Sequence, residues 1–344
     1  MQTDSAYAKN KYRNILVLAA LAVLLLVFAL ISLKCGSYST SVAELVRGVF
    51  GTADSRINAV VQGVRLPRIY TAVVCGAGLG VTGCILQAIL NNPLASASTL
   101  GISQGASFGA AFAIMVLGAG TAGLADSVLV SVCAFVSSML VSVIILGLSK
   151  LRAIGPEAMV LAGVALSALF SGATTLLQYF ASETELASFV FWTFGDLGST
   201  TRSDILVITA VVAVFTVYFI LNRWSYNALA AGEHTAVSLG VNVGRTRVIN
   251  ILACSFVAAT VVSYIGLISF IGLCAPHIVR RLVGSNYTWL IPGSAFMGAV
   301  LMLGGDLVAR TVISPVILPI GAITSFLGAP MFLYLLFKGG SKRA

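Results

Sequence analysis

The sequence predicts an all-α, polytopic membrane protein of about ten transmembrane helices. Hydrophobic residues make up 58% of the 344 residues and charged residues only 9%, and the mean hydropathy is +1.02. This composition is typical of a chain whose solvent is mostly lipid. A spanning helix needs roughly 20 apolar residues. The candidate spans cover residues 14–33, 65–90, 94–117, 126–149, 156–180, 203–222, 248–268, 270–282, 288–309 and 318–337. We expect one transmembrane domain over residues 1–344.

The distribution of lysine and arginine predicts the orientation, because cytoplasmic loops carry the excess of these residues. With the N-terminus inside, thirteen of the 20 basic residues are cytoplasmic and seven are external. Ten spans then place the C-terminus inside as well. The +9 net charge is accounted for mostly by topology, and no basic patch on a soluble domain indicates nucleic-acid binding.

The first span and the cysteines indicate neither secretion nor a metal. The first apolar run lacks a small-residue cleavage site close behind it, so we interpret it as a retained helix. The six cysteines are scattered through apolar runs without a C-x-x-C pair. They are expected to behave as small hydrophobic residues.

Residues 34–64 form an external segment in which VAELVRGVF, residues 42–50, has the pattern of a short amphipathic helix. Arg65 and Arg68 follow at the start of the second span, and Arg310 lies at the outer end of the ninth. All three are basic residues on the predicted external side, where the excess of lysine and arginine in cytoplasmic loops makes them unexpected. Anchoring to lipid headgroups is one explanation, and Asp306, one turn before Arg310, is spaced to hold that arginine.

Residues 76–109 are rich in glycine. Gly101, Gly105 and Gly109 recur at every fourth position, which predicts close approach of a neighbouring helix. The triplet at residues 91–93, Asn-Asn-Pro, is expected to break the chain at the cytoplasmic side. Gly83 and Pro93 are ten residues apart, as are Gly266 and Pro276, a weak indication of an inverted repeat.

The fifth candidate span carries small hydroxyl residues on one face. Ser167, Ser171 and Thr174 lie at positions i, i+4 and i+7, so they share a side of the helix. Either they line a translocation pathway, or they serve helix packing. An external loop with Glu183, Glu185, Trp192 and Asp196 is expected to follow.

Residues 223–247 form the longest polar interval on the cytoplasmic side, with Gly232 and Gly240 as breaks. The segment suits one or two short surface helices, with Ala228, Ala231, Thr235 and Leu239 on one face. It is either an amphipathic connector lying on the membrane or a docking surface for a soluble partner.

Several kinds of chemistry are missing from the sequence. No G-x-x-x-x-G-K-[ST] motif is present to cradle ATP phosphates, and the two histidines, His234 and His277, lie in separate elements. No nucleophile and base can be paired by spacing, so we expect neither catalysis nor a cofactor or metal. Carboxylates lie near helix ends or in loops, which disfavours an ion-coupled carrier. An intramembrane enzyme is the other alternative.

Several motifs resemble the FecCD-type permeases of importers for ferric siderophores, haem and cobalamin. They are R-L-P-R at 65–68, GAGLGVTGCILQAILNNPLASASTLGISQGASFGA at 76–110, GLISFIGLCAPHIVRRLVG at 266–284, LIPGSAFMGAVLMLGGDLVAR at 290–310 and LPIGAITSFLGAPMFLYLLFK at 318–338. The likeness covers essentially the whole chain after about residue 10.

The resemblance implies the permease fold of a type II ABC importer in a bacterial inner membrane. It implies two ATPase subunits inside, a substrate-binding protein outside and a second permease, either another copy or a paralogue. The ATPase-coupling residues would be Gly232, Glu233, Leu239 and Gly240. Arg65, Arg68 and Arg310 would meet acidic residues of the binding protein. The substrate would be a metal chelate, which the sequence does not identify further.

Overall fold

The structure, a computed structural model, describes residues 2–36, 38, 40–119, 124–152 and 155–340, and every regular element among these residues is helical. The helices are α1 (Gln2–Lys34), α2 (Val42–Val49), α3 (Ser55–Val60), α4 (Leu66–Ile89), α5 (Ile102–Met115), α6 (Leu124–Arg152), α7 (Pro156–Phe180), α8 (Glu183–Phe194), α9 (Arg202–Leu221), α10 (Arg223–Ala230), α11 (Glu233–Ser238), α12 (Val243–Ile265), α13 (Ile271–Val283), α14 (Tyr287–Thr311) and α15 (Ile320–Gly340).

Ten of these helices correspond in order to the ten predicted spans, with differences at their ends, so the all-α polytopic fold class is confirmed. Within the described ranges, seven helices are long and apolar enough to cross a membrane, and they include α1, α4, α6, α7, α9, α12 and α14. Helices α5, α13 and α15 complete the ten. The protein is therefore a multi-pass membrane protein.

Helix α4 lies at the centre of the bundle and approaches two other helices backbone to backbone. A Cβ atom on Gly80 would lie 2.2 Å from the carbonyl oxygen of Ser294 on α14. One on Gly83 would lie 1.7 Å from the carbonyl oxygen of Gly272 on α13. Lipid tails are as apolar as leucine, so helices in a bilayer associate through such close van der Waals packing.

The predicted glycine stripe of the third span also packs closely. A Cβ on Gly109 would lie 2.2 Å from the carbonyl oxygen of Cys133 on α6, and Gly105 faces the backbone of Ser137 at 2.9 Å. A Cβ on Gly101 would instead face α7 and lie 3.0 Å from the Gly163 carbonyl oxygen. Helix α5 is thus held between α6 and α7.

The predicted break after the second span is confirmed, but the third span is shorter than expected. Residues 91–101 form turns, Asn91 has a φ of 44° and Gly101 one of 78°. Helix α5 begins only at Ile102, not near residue 94. Pro93 cannot donate a backbone hydrogen bond, and the apolar residues that follow it lie in the turns.

Two expectations for the segments that were predicted to be external need correction. Residues 183–194 are not a loop but helix α8, which begins with a capping box between Ser182 and Glu185. The hydrogen bond from the Ser182 backbone holds the pKa of the Glu185 carboxyl below its ordinary value. In the 34–64 segment, α2 is confirmed, and a second short helix, α3, precedes the second span.

The two glycine–proline pairs do not mark equivalent places. Gly83 lies inside α4 and Pro93 in a turn, whereas Gly266 follows α12 and Pro276 lies inside α13. The interruption itself is shared by the third and eighth spans, since α5 and α13 each follow an irregular segment. Residues with positive φ, Gly101 and Phe270, precede them.

Replacing Gly83 by alanine tests the central packing. The new methyl group would collide with the Gly272 carbonyl, and overpacking of this kind costs about 1–3 kcal/mol or more. We expect a lower thermal unfolding midpoint for the detergent-purified Gly83→Ala protein. Gly147→Ala on α6 is the matched control, because a Cβ there meets nothing within 4 Å and alanine favours a helix. Equal midpoints for the two variants would contradict the packing argument.

Candidate functional site

The bundle has two ends that carry clustered polar groups. One end bears α10 and α11, and we call it the α11 end. The opposite end bears α2, α3 and α8 and the last turns of α14, which contain Asp306; we call it the Asp306 end. The predicted coupling residues lie at the first end and the predicted docking arginines at the second.

Helix α10 is fixed to the body of the protein. The Tyr226 hydroxyl is fully buried and donates to the Asn250 side-chain oxygen on α12 at 2.6 Å. The Tyr287 backbone N–H donates to the Asn227 side-chain oxygen at 2.9 Å. Buried polar groups joined in this way hold their helices in one arrangement. The base of the 223–247 segment is therefore rigid.

Helix α11, by contrast, projects from that base. Of its six residues only Ala236 is buried, and Val237 and Leu239 are 62% and 68% exposed. Gly232 and Gly240, at its two boundaries, have φ values of 113° and 82°, which favour glycine. Gly232, Glu233, Leu239 and Gly240 thus lie together on one exposed element.

The common face expected for residues 228–239 is not observed. Ala228 is buried, whereas Ala231, Thr235 and Leu239 are exposed. Gly232 interrupts the helical periodicity between them, so the segment folds as two helices with separate faces. The prediction of one or two short surface helices is confirmed.

The end of α4 adjoins this element through Arg247, and its neighbourhood includes His277 and Gln87. Arg247 donates through Nε to the Ile89 carbonyl oxygen at 3.0 Å and through Nη2 to the Glu233 carboxylate. His277 Nε2 lies 2.9 Å from the Pro93 carbonyl oxygen. The Gln87 side-chain oxygen accepts from Arg280 Nη2 at 3.3 Å.

At the Asp306 end, the Asp306 carboxylate is fully buried between two arginines. Arg68 Nε donates to Oδ1 at 2.8 Å and Arg310 Nε donates to Oδ2 at 2.9 Å. Arg68 also reaches Asp196, beyond the end of α8, at 3.5 Å. Arg310 additionally donates to the Cys35 carbonyl oxygen at 3.0 Å and to the Ser32 hydroxyl.

Arg65 belongs to the same region but binds only uncharged oxygens in the contacts described. It donates to the Leu33 carbonyl at 2.8 Å, the Thr40 hydroxyl at 2.9 Å and the Tyr38 carbonyl. The residue is 4% exposed. It therefore fastens the connection between α1 and α2 to the start of α4.

These three arginines do not extend freely from the Asp306 end. The side chains of Arg68 and Arg310 are each 9% exposed, which also differs from the snorkelling expected of headgroup anchors. Their contact with a binding protein stays a prediction. The exposed basic side chains at this end include others: Lys34, Arg47, Arg56 and Arg202.

The three hydroxyl residues of α7 occupy the boundary between its buried and exposed sides. Thr174 is buried, Ser167 is half-buried and Ser171 is exposed. The Ser167 and Thr174 hydroxyls donate to carbonyl oxygens four residues earlier, at 2.7 and 2.8 Å. Thr175, which the sequence analysis did not name, shares the exposed side with Ser171. Their assignment to a pathway stays a prediction.

A cavity of about 350 Å³ lies beside α8, lined in part by Trp192, Asp196, Asp204 and Tyr264. Its two carboxylates already have partners: Asp196 accepts from the Gly198 backbone and Asp204 from Thr201. Among the described residues, no group of three or more His, Cys, Asp and Glu side chains is arranged to hold a metal ion.

Replacing Asp306 by asparagine tests the network that Asp306 forms with Arg68 and Arg310. The change leaves two guanidinium groups beside a neutral amide, and removing one partner of a buried ion pair costs about 3–5 kcal/mol. We expect a clearly lower unfolding midpoint in detergent. Glu183→Gln, at an exposed carboxylate in the first turn of α8, is the control and should change stability by less than about 1 kcal/mol. A midpoint for Asp306→Asn as high as that of the control would show that the network contributes little.

Comparison with known proteins gives a consistent result. The chain is 47% identical over 344 residues to a provisionally named ABC transporter permease protein of Methanocaldococcus jannaschii, which covers 98% of this chain and 99% of that protein. It is 35% identical over 329 residues to the hemin transport system permease protein HmuU of Yersinia pestis, with 96% and 97% covered.

A solved structure agrees with these relatives. It is the inward-facing conformation of a provisionally named metal-chelate type ABC transporter, with a TM-score of 0.83 at 32% identity, covering 94% of this chain and 99% of that one. The model of the FecCD transport family matches residues 24–338, nearly the entire bundle described above. The chain therefore belongs to the FecCD transport family.

Proposed function

We propose that this protein is the membrane-spanning permease subunit of a binding-protein-dependent ABC importer that carries a ferric siderophore or a related metal chelate. Haem and cobalamin are the alternative substrates within the same function. The protein would form the passage and would not itself hydrolyse ATP, because its sequence has no phosphate-binding loop.

The observation that carries the proposal is the exposed helix α11 on an otherwise lipid-adapted bundle. Two glycine turns project it from the fixed helix α10, and its end presents Val237 and Leu239. Apolar side chains exposed together on a short helix outside the bilayer favour a protein partner. A separate ATPase subunit that binds α11 would supply the energy that the permease lacks.

The partners and orientation follow from this assignment. The α11 end and both termini would be cytoplasmic, as the basic residues indicate, in the plasma membrane. Two ATPase subunits would bind there, one for each of two permeases, the second permease being another copy or a paralogue. Their α7 helices would face each other, with Ser171 and Thr175 toward the passage and Ser167 and Thr174 behind them.

The binding protein would dock at the Asp306 end. Arg65, Arg68 and Arg310 remain the proposed contacts for its acidic residues, since arginine binds carboxylates with two parallel hydrogen bonds. Each guanidinium group would then exchange an internal acceptor for a carboxylate of the partner. The Arg68 contact with Asp196 is the most accessible of these, because the Asp196 side chain is 53% exposed.

An uptake assay tests the function. A strain that lacks the gene is supplied with a panel of ferric hydroxamate and catecholate siderophores, ferric citrate, haem and cobalamin. We expect loss of uptake for one chelate or one chelate class and its recovery with the intact gene. Uptake that persists when the ATPase partner is inactivated, but stops when a protonophore is added, would instead support an ion-coupled carrier.

Gly240→Leu tests the coupling surface. A Cβ at Gly240 meets nothing within 4 Å in this subunit, so apart from the strain of its positive φ a large side chain there would obstruct a bound partner and not the packing of the fold. We expect normal insertion but loss of ATP-dependent uptake. Gly240→Asn is the control, because asparagine tolerates the positive φ and is smaller; it should retain most activity. Full uptake by Gly240→Leu would reduce α11 to a surface connector.

A further inference from the structure

We propose that Arg247 is a positioning residue through which α11 controls the turn segment 90–101 at the end of α4. The inference rests on the proposed function, since it supposes that an ATPase partner displaces α11. The displacement of α11 would pass through Arg247 and the turn segment to the translocation helix α7.

Arg247 connects helix α11 with the end of helix α4, two elements that are far apart in the chain. Its side chain lies near the start of α12 and is only 13% exposed. Its Nε donates to the Ile89 carbonyl oxygen at 3.0 Å, while its Nη2 pairs with the carboxylate of Glu233, the first residue of α11. One planar guanidinium group therefore fixes the distance between α11 and the end of α4.

The Ile89 carbonyl needs such a partner because of the local sequence. In a continuing helix it would accept from the backbone N–H four residues later, but that residue is Pro93, which has no N–H. Arg247 supplies the missing donor. If α11 shifted, Arg247 would either lose this hydrogen bond or pull the Ile89 carbonyl group along.

The segment beyond Ile89 is built to respond to such a shift. Asn91 holds a positive φ of 44°, and non-glycine residues adopt such angles only at a cost. On its far side the Pro93 carbonyl oxygen is held by His277 of α13 at 2.9 Å. Arg247 and His277 thus hold the segment by two carbonyl groups four residues apart.

The other end of the segment contacts α7 backbone to backbone. A Cβ on Gly163 of α7 would lie 2.7 Å from the Thr99 carbonyl oxygen. A Cβ on Gly101 would lie 3.0 Å from both the Gly163 carbonyl oxygen and the Ser167 hydroxyl. With no side chains between them to absorb movement, a displacement of the segment is passed directly to α7, close to the predicted pathway residues.

The experiment uses the permease assembled with its ATPase and binding protein in lipid nanodiscs. A nitroxide is attached at Leu94→Cys, which is 41% exposed in the turn segment, after Cys35 and Cys133 have been replaced by serine. The measured quantity is the change in the nitroxide spectrum between the nucleotide-free state and the state trapped with ATP and vanadate. ATP hydrolysis is measured on the same samples.

With Arg247 intact we expect a clear spectral change. Arg247→Met should reduce that change about 5-fold or more, a typical size for energetic coupling between sites, while ATP hydrolysis stays within about 2-fold. Arg247→Lys should give an intermediate result, because an ammonium group keeps the charge but lacks the planar fork. Arg13→Met, at an exposed arginine of α1, is the matched control and should leave both readouts unchanged.

Glu233→Gln gives a second route to the same result. Glu233 is half-exposed, so this variant is expected to assemble even if Arg247→Met does not. Its effect should not add to that of Arg247→Lys, because both variants weaken one connection. A full spectral change in Arg247→Met or in Glu233→Gln would overturn the assignment of Arg247 while the importer function stands. With Arg247 intact, normal ATP hydrolysis without a spectral change would overturn the inference alone, whereas the absence of ATP hydrolysis by the assembled complex would overturn the ATP-driven function as well.

Discussion

The backbone contact of α4 with α14 and α13 is the constraint on which the rest of the structure depends. Gly80 and Gly83 bring three helices so close that carbonyl oxygens occupy the positions of absent side chains. In lipid this proximity replaces the hydrophobic driving force of a water-soluble core. Helix α4 is therefore the central element of the bundle, and polar groups cluster around both of its ends.

The two ends of α4 are held by arginines of different kinds. At the Asp306 end, Arg68 of α4 itself reaches a buried carboxylate on α14. At the α11 end, Arg247 reaches a backbone carbonyl of α4. The first contact joins two charges that water scarcely reaches, so it is strong and inflexible. The second links the half-exposed Arg247–Glu233 ion pair to the Ile89 carbonyl oxygen, which has no hydrogen-bond partner within its helix. Such a contact suits a connection to an element that moves, such as α11.

The sequence predicted the helices well, because apolar runs of sufficient length allow little else in a membrane. It also predicted the break at Asn91 and Pro93 and the exposed glycine-bounded segment with Gly232 and Gly240. These features are local, and residue type alone determines them. The start of α5 was misplaced because the apolar residues after Pro93 continue the run without continuing the helix.

Of the internal network, only the Arg310–Asp306 pair was predicted, because its two residues lie one turn apart on the same helix. Arg65, Arg68 and Arg310 were assigned to the outer surface because only their position in the chain was visible. Their burial depends on acceptors from α1, α14 and the segment after α8. Likewise, nothing in the spacing of Ser167, Ser171 and Thr174 shows that Thr174 is buried while Ser171 is exposed. Side-chain partners distant in the chain decide both cases.

The Arg68–Asp306 pair has a consequence for how the protein is made. The two residues are 238 positions apart, so the second span enters the bilayer long before the ninth has been synthesised. During that interval Arg68 has no Asp306 and must remain hydrated at the membrane surface. The Arg68–Asp306 contact therefore forms only after nearly the whole chain has been synthesised. A chain truncated before α14 would expose an unmatched charge, which gives membrane quality control a means to recognise it.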